Sequence, residues 1–299
     1  MPLVAVTIAL SAFLLFLVQP IIAKQILPWF GGASSVWTTC LVFFQSALLA
    51  GYAYADATTR LGARRQTLLH ALLLVMSLAS LPILAGDGWK PQGDEAPILR
   101  ILLLLAATIG LPYFLLSTTT PLLQSWYWQR FRTVVPYRLF ALSNFASLLA
   151  LLGFPVLAEP WFDLRQLGLA WSALYVAFVA LCLAVAWRSL RTAGEGEPQA
   201  AAQGELGHAA PPTATAQWLW LALSAMGSVM LLAVTNHVTQ NIASVPFLWV
   251  LPLSIYLLTF ILTFDHPRWY QRWFFVVALA GLVPAMAYLI PSLDLKLAV

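Results

Sequence analysis

The chain has 299 residues, 61% of them hydrophobic and only 9% charged, with a net charge of +4; a soluble globular domain carries roughly 25% charged residues. That composition excludes an ordinary water-soluble globule. Two cysteines far apart in sequence, Cys40 and Cys182, exclude a disulfide framework and indicate no metal site.

At roughly 20 apolar residues per membrane-crossing helix, nine runs qualify, over 3–23, 36–55, 66–85, 101–120, 139–158, 167–187, 218–236, 245–264 and 273–291. They are too long, and too uniformly apolar, for the strands of a β-barrel, which alternate over about 10 residues. The expected fold class is an all-α polytopic membrane protein, with a six-helix half and three further helices.

The first run lacks a basic leader and a cleavage site, so it is expected to stay as a span. Its stretch "LLFLVQPIIAKQILPWFGG" places Gln19, Pro20 and Lys24 in apolar surroundings. Pro20 removes a helix hydrogen bond, and a broken helix at membrane depth marks a cavity in many transporters. Lys24 lines such a cavity or snorkels to the interface from the last turn of its span.

In the second run Thr38, Gln45, Tyr52 and Asp56 recur at helical spacing on one face. Ala47, Gly51 and Ala55 form a small-residue row suited to close helix packing. The loop that follows, "GYAYADATTRLGARR", combines Asp56 with Arg60, Arg64 and Arg65. These four are candidates for a cytoplasmic gate, or simply cytoplasmic positive charge.

His70 falls in the third run. The fourth, within "GLPYFLLSTTTPLLQSWYWQRF", is expected to bend at Pro112 and Pro121, with Ser117 to Thr120 bonding freed carbonyls. Gln124 near its end, and Asn144 in the fifth run, are further polar candidates. Glu159 precedes Pro160 at a span end, where it meets solvent.

Residues 188 to 217 are rich in Ala, Gly, Pro and Gln, with two leucines as their only large apolar residues, and read as a flexible cytoplasmic linker. The expected organisation is therefore a bundle over 1–187, a linker over 188–217, and three helices over 218–299, an incomplete second half. In the seventh run Ser224, Ser228, Thr235 and Thr239 form a stripe leading into "TNHVTQNIASVP". Asn236 and His237 there belong to a broken helix lining a cavity, or to a polar turn outside the membrane. "FDHPRWYQR", residues 264 to 272, reads as a basic cytoplasmic loop.

Lys and Arg in short loops set orientation. With the N-terminus cytoplasmic, ten basic residues (60, 64, 65, 130, 132, 138, 188, 191, 268 and 272) face the cytoplasm and five (24, 90, 100, 165 and 296) the other side. Most of the 13 tryptophans lie near span ends, where the ring is best placed at headgroup level.

Four stretches, "FLLFLVQPIIAKQILPWFGGASSVWTTCLVFFQSALLAGYAYA", "GLPYFLLSTTTPLLQSW", "PYRLFALSNFASLLALLGFPVLAEP" and "SAMGSVMLLAVTNHVTQNIASVPFLWVLPLSIYLLTFILTF", together with their spacing, resemble the membrane part of bacterial fused major-facilitator/spermidine-synthase-like proteins. The resemblance implies a bacterial inner-membrane protein of major-facilitator type. In that family a soluble domain similar to aminopropyltransferases follows the membrane region. No such domain falls within this sequence, so no enzymatic activity and no cofactor are expected of this polypeptide.

Two functions follow as expectations. One is movement of a polyamine or related small solute, lined by Gln19, Lys24, Gln45, Tyr52, Gln124, Asn144, Asn236 and His237. The other is a non-transporting anchor or scaffold for an aminopropyltransferase-like partner. The expected surroundings are the lipid bilayer, with no nucleic-acid partner. A polycation cavity favours a buried carboxylate, and in this sequence only Asp56 and Glu159 lie near spans, at their ends.

Overall fold

The computed structural model describes residues 2–31, 34–91, 96–131, 138–192, 212–241 and 250–292, and among them every regular element is a helix. In order they are α1 (Pro2–Phe30), α2 (Ser34–Thr58), α3 (Ala63–Ser77), α4 (Pro97–Leu105), α5 (Leu111–Phe131), α6 (Arg138–Gly153), α7 (Glu159–Trp161), α8 (Leu164–Thr192), α9 (Ala214–Asn241), α10 (Val250–Asp265) and α11 (Arg272–Ser292). Two compact units divide the chain, Met1–Gly204 and Glu205–Val299.

Six helical stretches among the described residues are long and apolar enough to cross a membrane: Pro2–Phe30, Ser35–Leu61, Pro97–Tyr127, Arg138–Trp161, Leu164–Leu190 and Ala214–Thr235. The nine expected spans are therefore six by this measure. The third and eighth correspond to the shorter helices α3 and α10, and the ninth to α11, apolar over Arg272–Ala287 among the described residues.

α1 is the centre of the first unit. Its 29 residues extend about 43 Å at 1.5 Å per residue, beyond the roughly 30 Å hydrocarbon layer. Ile8, Leu15, Ile22 and Ile26 lie on one buried face, and α1 packs against α5, α6 and α8. The helix continues through Pro20 without a break, contrary to the broken helix expected there. It stops at Gly31, whose φ of 83° is open to glycine, and whose N–H bonds the Leu27 carbonyl at 2.9 Å.

The α1–α8 contact is fixed by Trp171. Its indole N–H donates to the Leu14 carbonyl at 2.9 Å, and its ring stacks on Tyr175 at 5.2 Å. Tyr175 in turn shares a 2.8 Å hydrogen bond with Ser77 of α3. Trp171→Phe is expected to lower stability by about 1 kcal/mol through the lost hydrogen bond; an unchanged denaturation midpoint in detergent would argue that the bond contributes nothing.

The third expected span is only partly helical. α3 has 15 residues, about 22 Å at the helical rise, which falls short of the hydrocarbon layer. A 3-10 turn, Leu78–Ser80, follows, and then an extended stretch from Leu81. Pro82 is the physical cause: it has no N–H and disfavours helical geometry in the residue before it. Leu81 accordingly adopts φ −87°, ψ 148°.

Extended backbone among apolar helices is tolerated when protein covers its polar groups. Gln25 of α1 does so by gripping both polar groups of Ala85, its Nε2 donating to the carbonyl at 2.8 Å and its Oε1 accepting from the N–H at 3.2 Å. Ile83 is fully buried and Ala85 nearly so. Gln25→Leu leaves two buried backbone groups unpaired, at about 1–3 kcal/mol each. A large fall in thermal stability is the expected outcome; an unchanged melting point would refute the clasp.

The loop beyond is tied down by its own charges. Arg100 donates to the carbonyls of Gly88 and Lys90, each at 2.9 Å, and of Trp89 at 3.1 Å. Lys90 pairs with Asp87 at 2.8 Å and lies over Trp29. That hydrogen bond and charge hold the Asp87 carboxyl below its usual range.

Near two of the prolines the helical hydrogen-bond pattern changes. A π-helical turn, Ala106–Gly110, joins α4 to α5 just before Pro112, and another, Phe154–Ala158, contains Pro155 and joins α6 to α7. α5 continues without interruption through Pro121. Ser117 bonds the Phe114 carbonyl, and Thr118 and Thr119 bond that of Leu115, so these hydroxyls turn back upon the preceding turn.

α2 and α5 approach closely along the small-residue row. A Cβ at Gly51 would collide with Ser117 Oγ and stand 3.2 Å from the Phe114 carbonyl oxygen. Ser117 Oγ also reaches the Ala47 carbonyl, at 3.4 Å.

In the second unit, α9 packs on α10, where Tyr256, Phe260 and Phe264 form an aromatic ladder. α8 runs to Thr192 and α9 starts at Ala214, so both ends of the expected linker are helical. α9 continues to Asn241. Residues 235–241 are thus neither a break nor a turn, and the rest of that motif lies outside the described residues.

Candidate functional site

Two polar side chains, Gln19 and Tyr113, meet at the middle of their helices, and a third, Gln45, stands at mid-helix on an exposed face of α2. Gln19 stands near the midpoint of Pro2–Phe30 and Gln45 near that of Ser34–Thr58. Tyr113 is central to the continuous stretch from Pro97 to Phe131. Mid-helix in a span is mid-depth in a bilayer, where polar groups face protein or water.

Gln19 Nε2 donates to the Tyr113 hydroxyl at 3.5 Å and to the Leu15 carbonyl of its own helix at 3.4 Å. The carbonyl that Pro20 leaves free is that of Phe16, so the amide does not repair the proline site. It is half-buried, and Tyr113 is 2% exposed. The Phe44 ring packs on Tyr113 at 5.0 Å, which sets the neighbouring Gln45 at the same level. Tyr113 was not among the sequence candidates; the signal that could have found it is its central place in its span.

The expected stripe on α2 lies together on one exposed face: Thr38, Gln45, Tyr52 and Asp56 are all exposed within that helix. Val42 and Leu49, also exposed, lie between them. Lys24 is half-buried on α1 and forms no ion pair among the described residues. Asn144 donates to the Phe140 carbonyl of its own helix at 2.8 Å, which is local satisfaction. Gln124 is half-buried, with its Nε2 buried and unpartnered. His237 is exposed on α9, and the Asn236 side chain lies outside the described residues.

The charges of the candidate gate are not what closes the α2–α3 corner. Asp56, Arg60, Arg64 and Arg65 are all exposed, and none forms an ion pair among the described residues. Instead the corner is held by a neutral amide, Gln66, which is 0% exposed. Its Oε1 accepts from Trp126 Nε1 of α5 at 3.1 Å. Its Nε2 donates to Thr58 Oγ1 at 3.0 Å and the Ala55 carbonyl at 3.5 Å on α2. One side chain on α3 thereby ties together three helices.

Gln66 follows the two arginines of the motif directly, and Gly62, at φ 77°, sets the turn that starts α3. The sequence drew attention to the charges and passed over the amide.

Among the described residues no group of three or more His, Cys, Asp or Glu is placed to hold a metal ion. The described acids Asp56, Asp87, Asp163 and Asp265 are exposed, and Glu159 is intermediate. The arrangement offers neutral hydrogen bonding at mid-depth.

Comparison with known proteins finds no matching family model, no matching curated protein and no matching solved structure.

Proposed function

We propose that the protein is an inner-membrane transporter-like bundle of major-facilitator type, with its N-terminus cytoplasmic, that moves a small polar solute past the Gln19–Tyr113 pair. The observation that carries this reading is that pair's mid-depth position, since solute sites of such transporters lie near the bilayer midplane. The resemblance to the fused major-facilitator/spermidine-synthase-like proteins points to a polyamine or a related small molecule as the solute class.

A second reading, an anchor for an aminopropyltransferase-like partner, is favoured by one fact. No described acid is buried, and a polycation in a low-dielectric cavity calls for a carboxylate. Neither reading requires catalysis or a cofactor.

Uptake of labelled polyamines and uncharged polar solutes into proteoliposomes separates them. Transport predicts uptake that falls about tenfold in Gln19→Leu and Tyr113→Phe, the loss of roughly one hydrogen bond to a polar solute. Uptake absent under every gradient, with a soluble partner co-purifying equally with wild type and both variants, would establish the anchor instead.

A further inference from the structure

The corner that Gln66 closes contains a group with nothing to bond. His70 lies one turn beyond Gln66 on the same face of α3, is 1% exposed, and among the described residues has no hydrogen-bond partner at either Nδ1 or Nε2. Its ring packs between Tyr54 of α2, at 6.0 Å, and Trp126 of α5, at 6.1 Å with the planes 76° apart. The Tyr54 hydroxyl is buried and unpartnered as well.

A neutral imidazole carries one N–H and one lone pair. Buried polar atoms left unpaired are few in folded proteins and each calls for an explanation. An N–H against an aromatic face is at most a weak hydrogen bond. Three unpaired atoms from two facing side chains in one corner are more than packing needs, since phenylalanine would fill either place.

We propose that His70 is a proton-binding site, and that proton uptake there releases α3 from α2 and α5. The imidazolium has two N–H donors and a full charge, and among the described residues the closed corner supplies no counter-charge. From α2 the ring faces Tyr54, while Asp56 is exposed. From α5 it faces Trp126, with Tyr127 next in sequence. From α8 the buried titratable groups are Tyr175, already bonded to Ser77, and Cys182. Arg60 in the turn before α3, and Arg64 and Arg65 on α3 itself, are exposed.

A buried charge without a partner is not retained, so the protonated ring brings water into the corner. Because His70 and Gln66 share Trp126, water at one undermines the hydrogen bond at the other. Once the corner opens, the hydrated ring takes up a proton in the range ordinary for histidine, near neutral pH, so it is the opening of the corner that responds in that range. This device serves a transporter or an anchor equally and does not depend on the choice between them.

Hydrogen exchange of the full chain in lipid nanodiscs tests it, with rates corrected for the intrinsic effect of pH. Peptides covering residues 63–77 are expected to exchange about tenfold faster at about pH 5.5 than at about pH 7.5. His70→Phe and His70→Gln should each abolish that difference, while peptides of α8 stay unchanged. No acceleration in the wild-type chain would overturn the proposal without recourse to any variant. So would an acceleration retained in either variant. The measurement uses no solute gradient, so its failure is distinct from a failure of transport.

Discussion

Gly168→Ala is expected to destabilise the first unit by about 1–3 kcal/mol, the range for forcing extra volume into a packed site. A Cβ at Gly168 would lie 2.6, 2.7 and 2.8 Å from three carbons of Leu84. The whole Leu84 side chain must then move, rather than one flexible end. Leu84 belongs to the extended segment that Gln25 pins at Ala85, so its backbone has little freedom to retreat. Removing the obstacle should reverse the effect: Gly168→Ala with Leu84→Ala is expected to recover most of the loss. A thermal denaturation series in detergent decides it. Equal stability of Gly168→Ala and wild type would show that the segment shifts freely.

Gln66→Met should destabilise by a comparable amount, about 1–3 kcal/mol for each buried group stripped of its partner. The substitution keeps the length of the side chain and removes its polar atoms. Trp126 Nε1 loses its acceptor, whereas the Thr58 hydroxyl keeps its bond to the Tyr54 carbonyl. The indole is therefore the costly orphan. A double-mutant cycle with Trp126→Phe isolates this pair and should show coupling of about 1 kcal/mol or more. By contrast, Asp56→Asn and Arg60→Gln, both at exposed positions, should leave stability within about 0.5 kcal/mol. Additive Gln66 and Trp126 effects would transfer the role of holding the corner back to the charges.

The long apolar helices were legible in the sequence because length and hydropathy alone define them. Residues 2–30 and 164–192 needed no tertiary information. The third span was not, because "SLPILAG" is apolar enough to pass for helix while Pro82 turns it into extended chain. Its stability there depends on Gln25, a residue 60 positions earlier. Pro20 misled in the opposite direction: α1 continues through it, while π-helical turns precede Pro112 and contain Pro155.

The candidate site divides the same way. Gln19 and Gln45 stood out as amides in apolar runs, and both lie at mid-helix. Tyr113, Gln66 and His70 owe their roles to contacts that sequence spacing does not reveal, each reaching across to another helix. Exposed charge attracts notice in a greasy sequence, yet the buried neutral groups make the inter-helix bonds.

In a chain that passes through lipid, the least ordinary crossing is the one from Arg60 to Trp89, half helix and half extended segment. Cysteines placed singly at those two positions, with Cys40 and Cys182 replaced by alanine, can be labelled in intact cells by a membrane-impermeant maleimide. The prediction is labelling at 89 from outside and at 60 only after the membrane is opened. Labelling of both from one side would contradict it.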